Sequence, residues 1–253
     1  MPEPILSVSG LTKTFKLRGR EDVRAVRDVT FDLLPGECLG LIGESGSGKT
    51  TLVHLITGLT PATSGSVVLD GLDVTKLKGK ALRAAWKKMQ VVFQTPTESF
   101  DPRRTLGDGI CESMRNNGLS KADARKRAGE MLERCGLPAD FAKRYPHEVS
   151  GGQCQRAAIA RALAIEPKLL ICDEATSALD VTIQAEIIEL LRTLRRELDM
   201  SILFVCHDIA LVRQFCDRVL VMYRGELVET GVPAEVIAEP KNAYTRDLIN
   251  SIL

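Results

Sequence analysis

Short apolar runs, separated by glycine turns and longer amphipathic stretches, outline this chain. Residues 38–42, 169–172 and 202–206 are almost continuously apolar over only four or five positions. Runs of that length predict strands buried on both faces. The first leads into a helical stretch over 49–59. The second, taken with Lys168, leads into an amphipathic helix over 181–198. Strands alternating with helices predict an α/β fold with a mainly parallel sheet and helices on its faces. Further strands are expected at 5–8, 26–33 and 91–93, with a turn at Pro35-Gly36-Glu37. Hairpins are expected about Gly71, joining 67–69 to 73–74, and about Arg224-Gly225, joining 219–222 to 227–229. A terminal helix is expected over 240–253.

Between about residues 95 and 150 the pattern changes. Apolar β-branched runs vanish, and helix formers and charges dominate, as over 121–135. Ser120 with Asp123 marks a helix start. This stretch reads as a helical subdomain inserted into the α/β core. A further helix follows Gln153 to about residue 165, where Ala157, Ala158, Ala160, Ala162 and Ala164 allow close packing.

Composition alters this outline little. The 253 residues are 44% hydrophobic and 26% charged, ordinary for a globular protein, and the formal net charge is +1. No strong field draws the chain to nucleic acid, and no nucleic-acid partner is expected. The apolar runs are too short to span a bilayer. Met1-Pro2-Glu3-Pro4 lacks the regions of a signal peptide, so a cytoplasmic location is expected. Seven cysteines form no CxxC pair and predict no metal or iron–sulfur centre.

The chemistry starts at Gly43-Glu44-Ser45-Gly46-Ser47-Gly48-Lys49-Thr50, between an apolar strand and a helix. Glycines there let backbone N–H groups surround phosphate oxygens, and side chains at Gly46 or Gly48 would block that approach. Lys49 adds charge for the β- and γ-phosphates, and Thr50 offers a hydroxyl to Mg²⁺. Asp173-Glu174 ends the second apolar run. If the two strands are near neighbours, Asp173 holds magnesium through water and Glu174 polarises the attacking water. Gln94, after the strand at 91–93, can reach both metal and water. His207, ending the next strand, can hydrogen-bond the γ-phosphate and hold Glu174 and the water in line.

Val149-Ser150-Gly151-Gly152-Gln153 is a second anion-binding helix start, in a separate subdomain. One phosphate cradle already exists at 43–50. The second makes most sense against a phosphate held by another copy, so one chain does not complete its ATP site.

With these residues in order, the chain resembles the nucleotide-binding subunit of ATP-binding-cassette (ABC) transporters over nearly its whole length. The family's Walker A motif matches 43–50, its Q-loop Gln94, its signature 149–153, its Walker B 169–174, its D-loop Ser177-Ala178-Leu179-Asp180 and its switch histidine His207. The resemblance implies one domain over 1–253: a P-loop NTPase (RecA-like) core, an N-terminal antiparallel β subdomain and the inserted helical subdomain. It implies ATP and Mg²⁺ as cofactors, with Thr51 and Asp180 also at the nucleotide. Phe15 falls where the family places an adenine-stacking aromatic, usually tyrosine; it keeps the π-face. Val149 for leucine, Cys154 after the signature and Ala175 for proline are departures that remove no phosphate or magnesium contact.

Within the family, Val92-Phe93-Gln94-Thr95-Pro96, Asp101-Pro102-Arg103, the run 173–184 and Ala243-Tyr244-Thr245-Arg246-Asp247-Leu248 resemble oligopeptide, dipeptide and nickel importer ATPases. That likeness implies a second ATPase subunit, a paralogue or this chain itself, packed head to tail. It also implies permease subunits gripping segment 95–105 at the cytoplasmic face of a membrane, and an extracytoplasmic substrate-binding protein acting indirectly. The chain looks like the shorter partner of such a pair. Relatives in soluble complexes, such as the phosphonate-degradation machinery, supply the alternative.

Overall fold

The computed structural model describes residues 3–16, 19, 21–177 and 179–252. Met1, Pro2, Leu253 and Ala178 of the expected D-loop lie outside the described residues.

Strands β1 (Leu6–Phe15) and β2 (Val23–Leu33) open the chain, followed by β3 (Cys38–Ile42) and α1 (Lys49–Ile56). Next come β4 (Ser64–Leu69), β5 (Leu72–Asp73), α2 (Gly79–Ala85) and β6 (Met89–Val92). The helical region holds α3 (Leu106–Asn116), α4 (Lys121–Arg134) and two short 3-10 turns, and leads into α5 (Gly151–Leu163). The remainder is β7 (Leu169–Asp173), α6 (Val181–Glu197), β8 (Ser201–Val205), α7 (Ile209–Phe215), β9 (Arg218–Tyr223), β10 (Glu226–Gly231), α8 (Pro233–Ala238) and α9 (Ala243–Ile252).

Two sheets form. One is antiparallel, in the order β2-β1-β4-β5; the other runs β10-β9-β3-β8-β7-β6 and is parallel except at β10. The continuous apolar runs divide between two cores by the period of two along a strand. In β7, Leu170 and Cys172 join the core under α5 and α6, whereas Leu169 and Ile171 join the core under α1 and the antiparallel sheet. In β8, Ile202 and Phe204 divide from Leu203 and Val205 in the same way. Both faces of the sheet are therefore covered at β3, β7 and β8, whose residues are all buried.

Several boundaries differ from the sequence pattern. The strand expected to end at residue 8 continues to Phe15, because Ser, Thr and Lys positions pair with β2 and β4 across irregular register. The helix expected to reach residue 59 stops at Ile56, where Gly58 turns to a φ of 71°. The strand expected over 91–93 is Met89–Val92, and Phe93 is exposed. Helices α2, α7 and α8 carry no strong periodicity in so few residues. Asp208 nonetheless marks α7, accepting from the N–H groups of Ala210 and Leu211. The expected start of α4 holds: Ser120 Oγ accepts from Asp123 N–H.

Candidate functional site

The parallel strands β3 and β7 flank β8, so their C-terminal ends share one edge of the sheet. That edge brings the loop 43–48 and the Asp173-Glu174 pair together, at the kind of strand-end crevice where open α/β sheets bind ligands. A Cβ on Gly43 would lie 2.2 Å from the Met222 carbonyl oxygen, and one on Gly48 2.4 Å from that of Ala25. Gly48 thus makes room for β2 behind the loop. Gly46, with a φ of 81°, faces open space.

Lys49 is only 4% exposed. Its Nζ donates to the carbonyls of Gly43 (2.7 Å) and Glu44 (2.9 Å). Burial lowers its pKa, opposed in part by the negative charges of Glu174 and Asp173. Burial, then the adjacent Glu174, raises the pKa of Asp173, and His54, Lys49 and the neighbouring Thr50 hydroxyl only partly offset this. The Oδ1 atom of Asp173 and the Oγ of Ser47 are buried without a hydrogen-bond partner among the described residues. Buried polar atoms of that kind are satisfied by an ordered water, an ion or a ligand.

Glu174 follows at a φ of 50°, anchored by its N–H to the Val205 carbonyl (2.9 Å). A non-glycine residue in the left-handed region is costly and gathers at functional sites. Ser177 Oγ donates to the Glu174 carbonyl at 2.9 Å. His207 Nδ1 stands 4.0 Å from Glu174 Oε2, close but beyond a hydrogen bond, and its side chain is 59% exposed.

A cleft of about 320 Å³ opens on this edge, lined by Ser45, Gly46, Gly48, Lys49, Thr50 and Thr51 and by Glu174. Val23, Arg24, Ala25 and Arg27 of β2, with Arg224 and Gly225 of the β9–β10 turn, complete its lining. Nothing local marks these arginines; the packing of β2 and the β9–β10 turn against the loop brings them there. Phe15 ends β1 paired with Val23, 40% exposed, with Lys13 Nζ 4.9 Å from its ring centroid.

The other expected residues lie apart. Gln94 is exposed beyond β6 and does not line the cleft. Nor do Ser150, Gly151, Gly152 and Gln153. There Ser150 Oγ accepts from Gln153 N–H (3.3 Å) and Gln153 Oε1 accepts from Ser150 N–H (3.0 Å), a reciprocal capping box. Asp180 caps α6, accepting from Ile183 N–H at 3.0 Å. The seven cysteines are buried and free, and no cluster of three or more metal-ligating side chains occurs among the described residues.

A phosphate loop, a buried lysine and an acidic strand end on a mainly parallel sheet define a P-loop nucleotide-binding protein. The ABC transporter family pattern matches residues 26–177. A glutathione import ATP-binding protein, GsiA of Pectobacterium atrosepticum, is 45% identical over 99% of this chain, which spans 41% of that protein's length. A putative peptide import ATP-binding protein of Brucella ovis is 43% identical over 98% of this chain and 78% of its own. Among solved structures, the cassette MJ0796, dimeric after hydrolysis with ADP and phosphate, superposes with a TM-score of 0.82 at 32% identity, covering 90% of this chain and 98% of its own. CbiO1 of Clostridium perfringens, part of the ABC transporter complex cbiONQ, gives 0.83 at 31%, covering 93% and 91%. The chain belongs to the ABC transporter family of ATP-binding, ATP-hydrolysing cassettes.

Proposed function

We propose that this chain powers a membrane importer of the peptide class, with a second ATPase subunit completing its nucleotide sites. The observation that carries the reading is a separation within one chain. Lys49, Thr50 and Glu174 share a cleft, with Asp173 beside them, while the helix start at Ser150 lies outside it. An anion site with no anion of its own fits a phosphate presented by another subunit. In this reading Glu174 orients and deprotonates the attacking water, His207 steadies Glu174, and Phe15 packs on the base. Asp180 faces the partner, and Gln94 approaches the cleft when the subunits close.

Magnesium fits the residues present. It is held by few carboxylates plus substrate phosphates and water, and Asp173 offers one unpartnered buried oxygen beside the Thr50 hydroxyl. When bound, it neutralises charge on the phosphates.

A second cavity, of about 500 Å³, suits a permease segment. Trp86, Phe93 and Phe100 give it an apolar floor, and Arg104 and Glu112, paired at 2.7 Å, lie at its rim. Arg161 of α5 connects it to the signature helix. Its guanidinium donates to the Ser99 carbonyl and lies 4.5 Å from the Phe100 ring centroid. A helix docked on Phe100 would thus move the same α5 that begins at Ser150. No helix among the described residues is long and apolar enough to cross a membrane, consistent with a peripheral subunit at the cytoplasmic face. The import names of the curated relatives favour this over a soluble complex. The test is co-expression with permease subunits of the peptide-importer class. ATPase activity should rise with permease present, and Arg103→Glu with Arg104→Glu should reduce transport. Activity indifferent to the permease and intact transport in the double variant would reject the importer.

A further inference from the structure

Helix α9 lies two hundred residues beyond the phosphate loop, yet it touches it. The Glu44 N–H donates to Tyr244 Oη at 2.9 Å. That N–H belongs to the same peptide unit as the Gly43 carbonyl, which accepts from Lys49 Nζ at 2.7 Å. A peptide unit is planar, so its two polar ends turn together. Lys49 holds one end and Tyr244 the other.

Tyr244 is itself fixed. Its ring stacks on Tyr223 with centroids 4.0 Å apart and planes 24° apart. Its N–H donates to Asn242 Oδ1 at 2.9 Å. The Glu229 carboxylate accepts from the N–H groups of Lys241 and Asn242 at 2.9 and 3.0 Å, seating the start of α9 on β10. One residue before Tyr223, the Met222 carbonyl closes the space behind Gly43. The end of β9 and the start of α9 therefore brace the loop at Gly43 and Glu44.

We propose that Tyr244 is a positioning residue for nucleotide binding: it fixes the orientation of the 43–44 peptide, and through it the loop and Lys49. This rests on the ATP-binding reading above. Lys49 must leave two loop carbonyls to reach a phosphate, and those carbonyls must stay where the lysine can exchange between them and the ligand. Without the tyrosine oxygen, the Glu44 N–H, at an exposed position, turns to water and the peptide gains a second orientation. Ordering it again on binding weakens affinity without touching the chemical step.

The test is nucleotide titration of the purified subunit. Tyr244→Phe keeps the stacked ring and removes only the acceptor. It should weaken ATP binding by the subunit roughly three- to fivefold, the effect of one neutral hydrogen bond, with kcat of the assembled ATPase pair at saturating ATP unchanged and Tm lowered by no more than about 2–4 °C. Tyr244→Ala should lose that affinity and lower Tm as well. Tyr223→Phe should leave affinity unchanged. ATP affinity in Tyr244→Phe equal to that of the unaltered chain overturns the proposal, as does an equal loss in Tyr223→Phe. No ATP binding by the unaltered chain would instead overturn the function on which it rests.

Discussion

Two helix starts in this molecule have the same local chemistry and opposite surroundings. At α1 the glycine loop packs against Met222 and Ala25, its lysine is buried, and arginines of β2 and the β9–β10 turn line the cleft with it. At α5 the glycines of Ser150–Gln153 sit on a helix end that is exposed at Ser150 and Gly151 and satisfied by its own capping box. The first region holds two buried polar atoms, Ser47 Oγ and Asp173 Oδ1, without a partner among the described residues. The second has spent its side-chain hydrogen bonds on itself and keeps the free N–H groups and dipole of its first turn. The proposed composite site would divide in this way. In that proposal the charge, metal ligand and water-activating group stay where burial strengthens electrostatics, and the partner surface needs only to meet a phosphate already held.

The sharpest test of that division is Glu174→Gln. The amide keeps the shape of the cleft wall but cannot take a proton from water. Hydrolysis should fall by about a hundredfold or more, while ATP binding persists. With both halves still able to bind and no turnover to separate them, ATP should accumulate a dimer, with itself or with the second ATPase chain, visible by size-exclusion chromatography with light scattering. A mutant that stays monomeric with ATP and that partner present would break the comparison, because the second helix start would then have no phosphate to meet.

Two substitutions next separate the regions directly. Lys49→Ala removes a buried charge from the first and should weaken ATP binding by the isolated subunit roughly ten- to a hundredfold, as for a charged hydrogen bond. Ser150→Asp changes the second. Aspartate caps a helix as well as serine does, so fold and subunit affinity should hold, but a carboxylate placed against a phosphate should abolish ATP-driven pairing. Titration of single subunits, followed by pairing assays, reads both. If Ser150→Asp pairs normally, the α5 start is a cap and nothing more.

Most of the first region was legible in the sequence and much of its setting was not. Lys49 is legible from the glycine loop that follows one apolar run, and Asp173 and Glu174 from the end of another, and neighbouring parallel strands end near one another. Arg24, Arg27, Arg224 and Tyr244 are not. They reach the loop through the antiparallel sheet, the β9–β10 turn and the C-terminal helix, across sequence separations that no local period records. The strand at β1 was read too short for a related reason. Past Val8 only Leu11 points into the core, and the Ser, Thr and Lys positions owe their extended form to hydrogen bonds with β2 and β4. Gln94 and Ser150–Gln153 were read by position in a motif order, and in a single chain they stand outside the cleft.

The smallest effect concerns stability. Asp173 is buried, and its pKa is raised by that burial and by Glu174. Between its unfolded and native values the folded state binds the extra proton, so this group's contribution to stability falls as pH rises through that window. The cost then persists at neutral pH. The side-chain amide of the Asp173→Asn variant carries no charge to desolvate. The variant should melt about 1–4 °C higher than the unaltered chain near neutral pH, although it loses the oxygen that suits magnesium. The gain should shrink as pH falls through the native value of Asp173, where the unaltered carboxyl is also neutral. Thermal melts of both proteins across that range give the answer. A variant that melts lower at neutral pH would mean that Lys49 and Thr50 already stabilise the ionised carboxylate without a metal. The first region would then be complete in itself, and its difference from the second would lie in geometry alone.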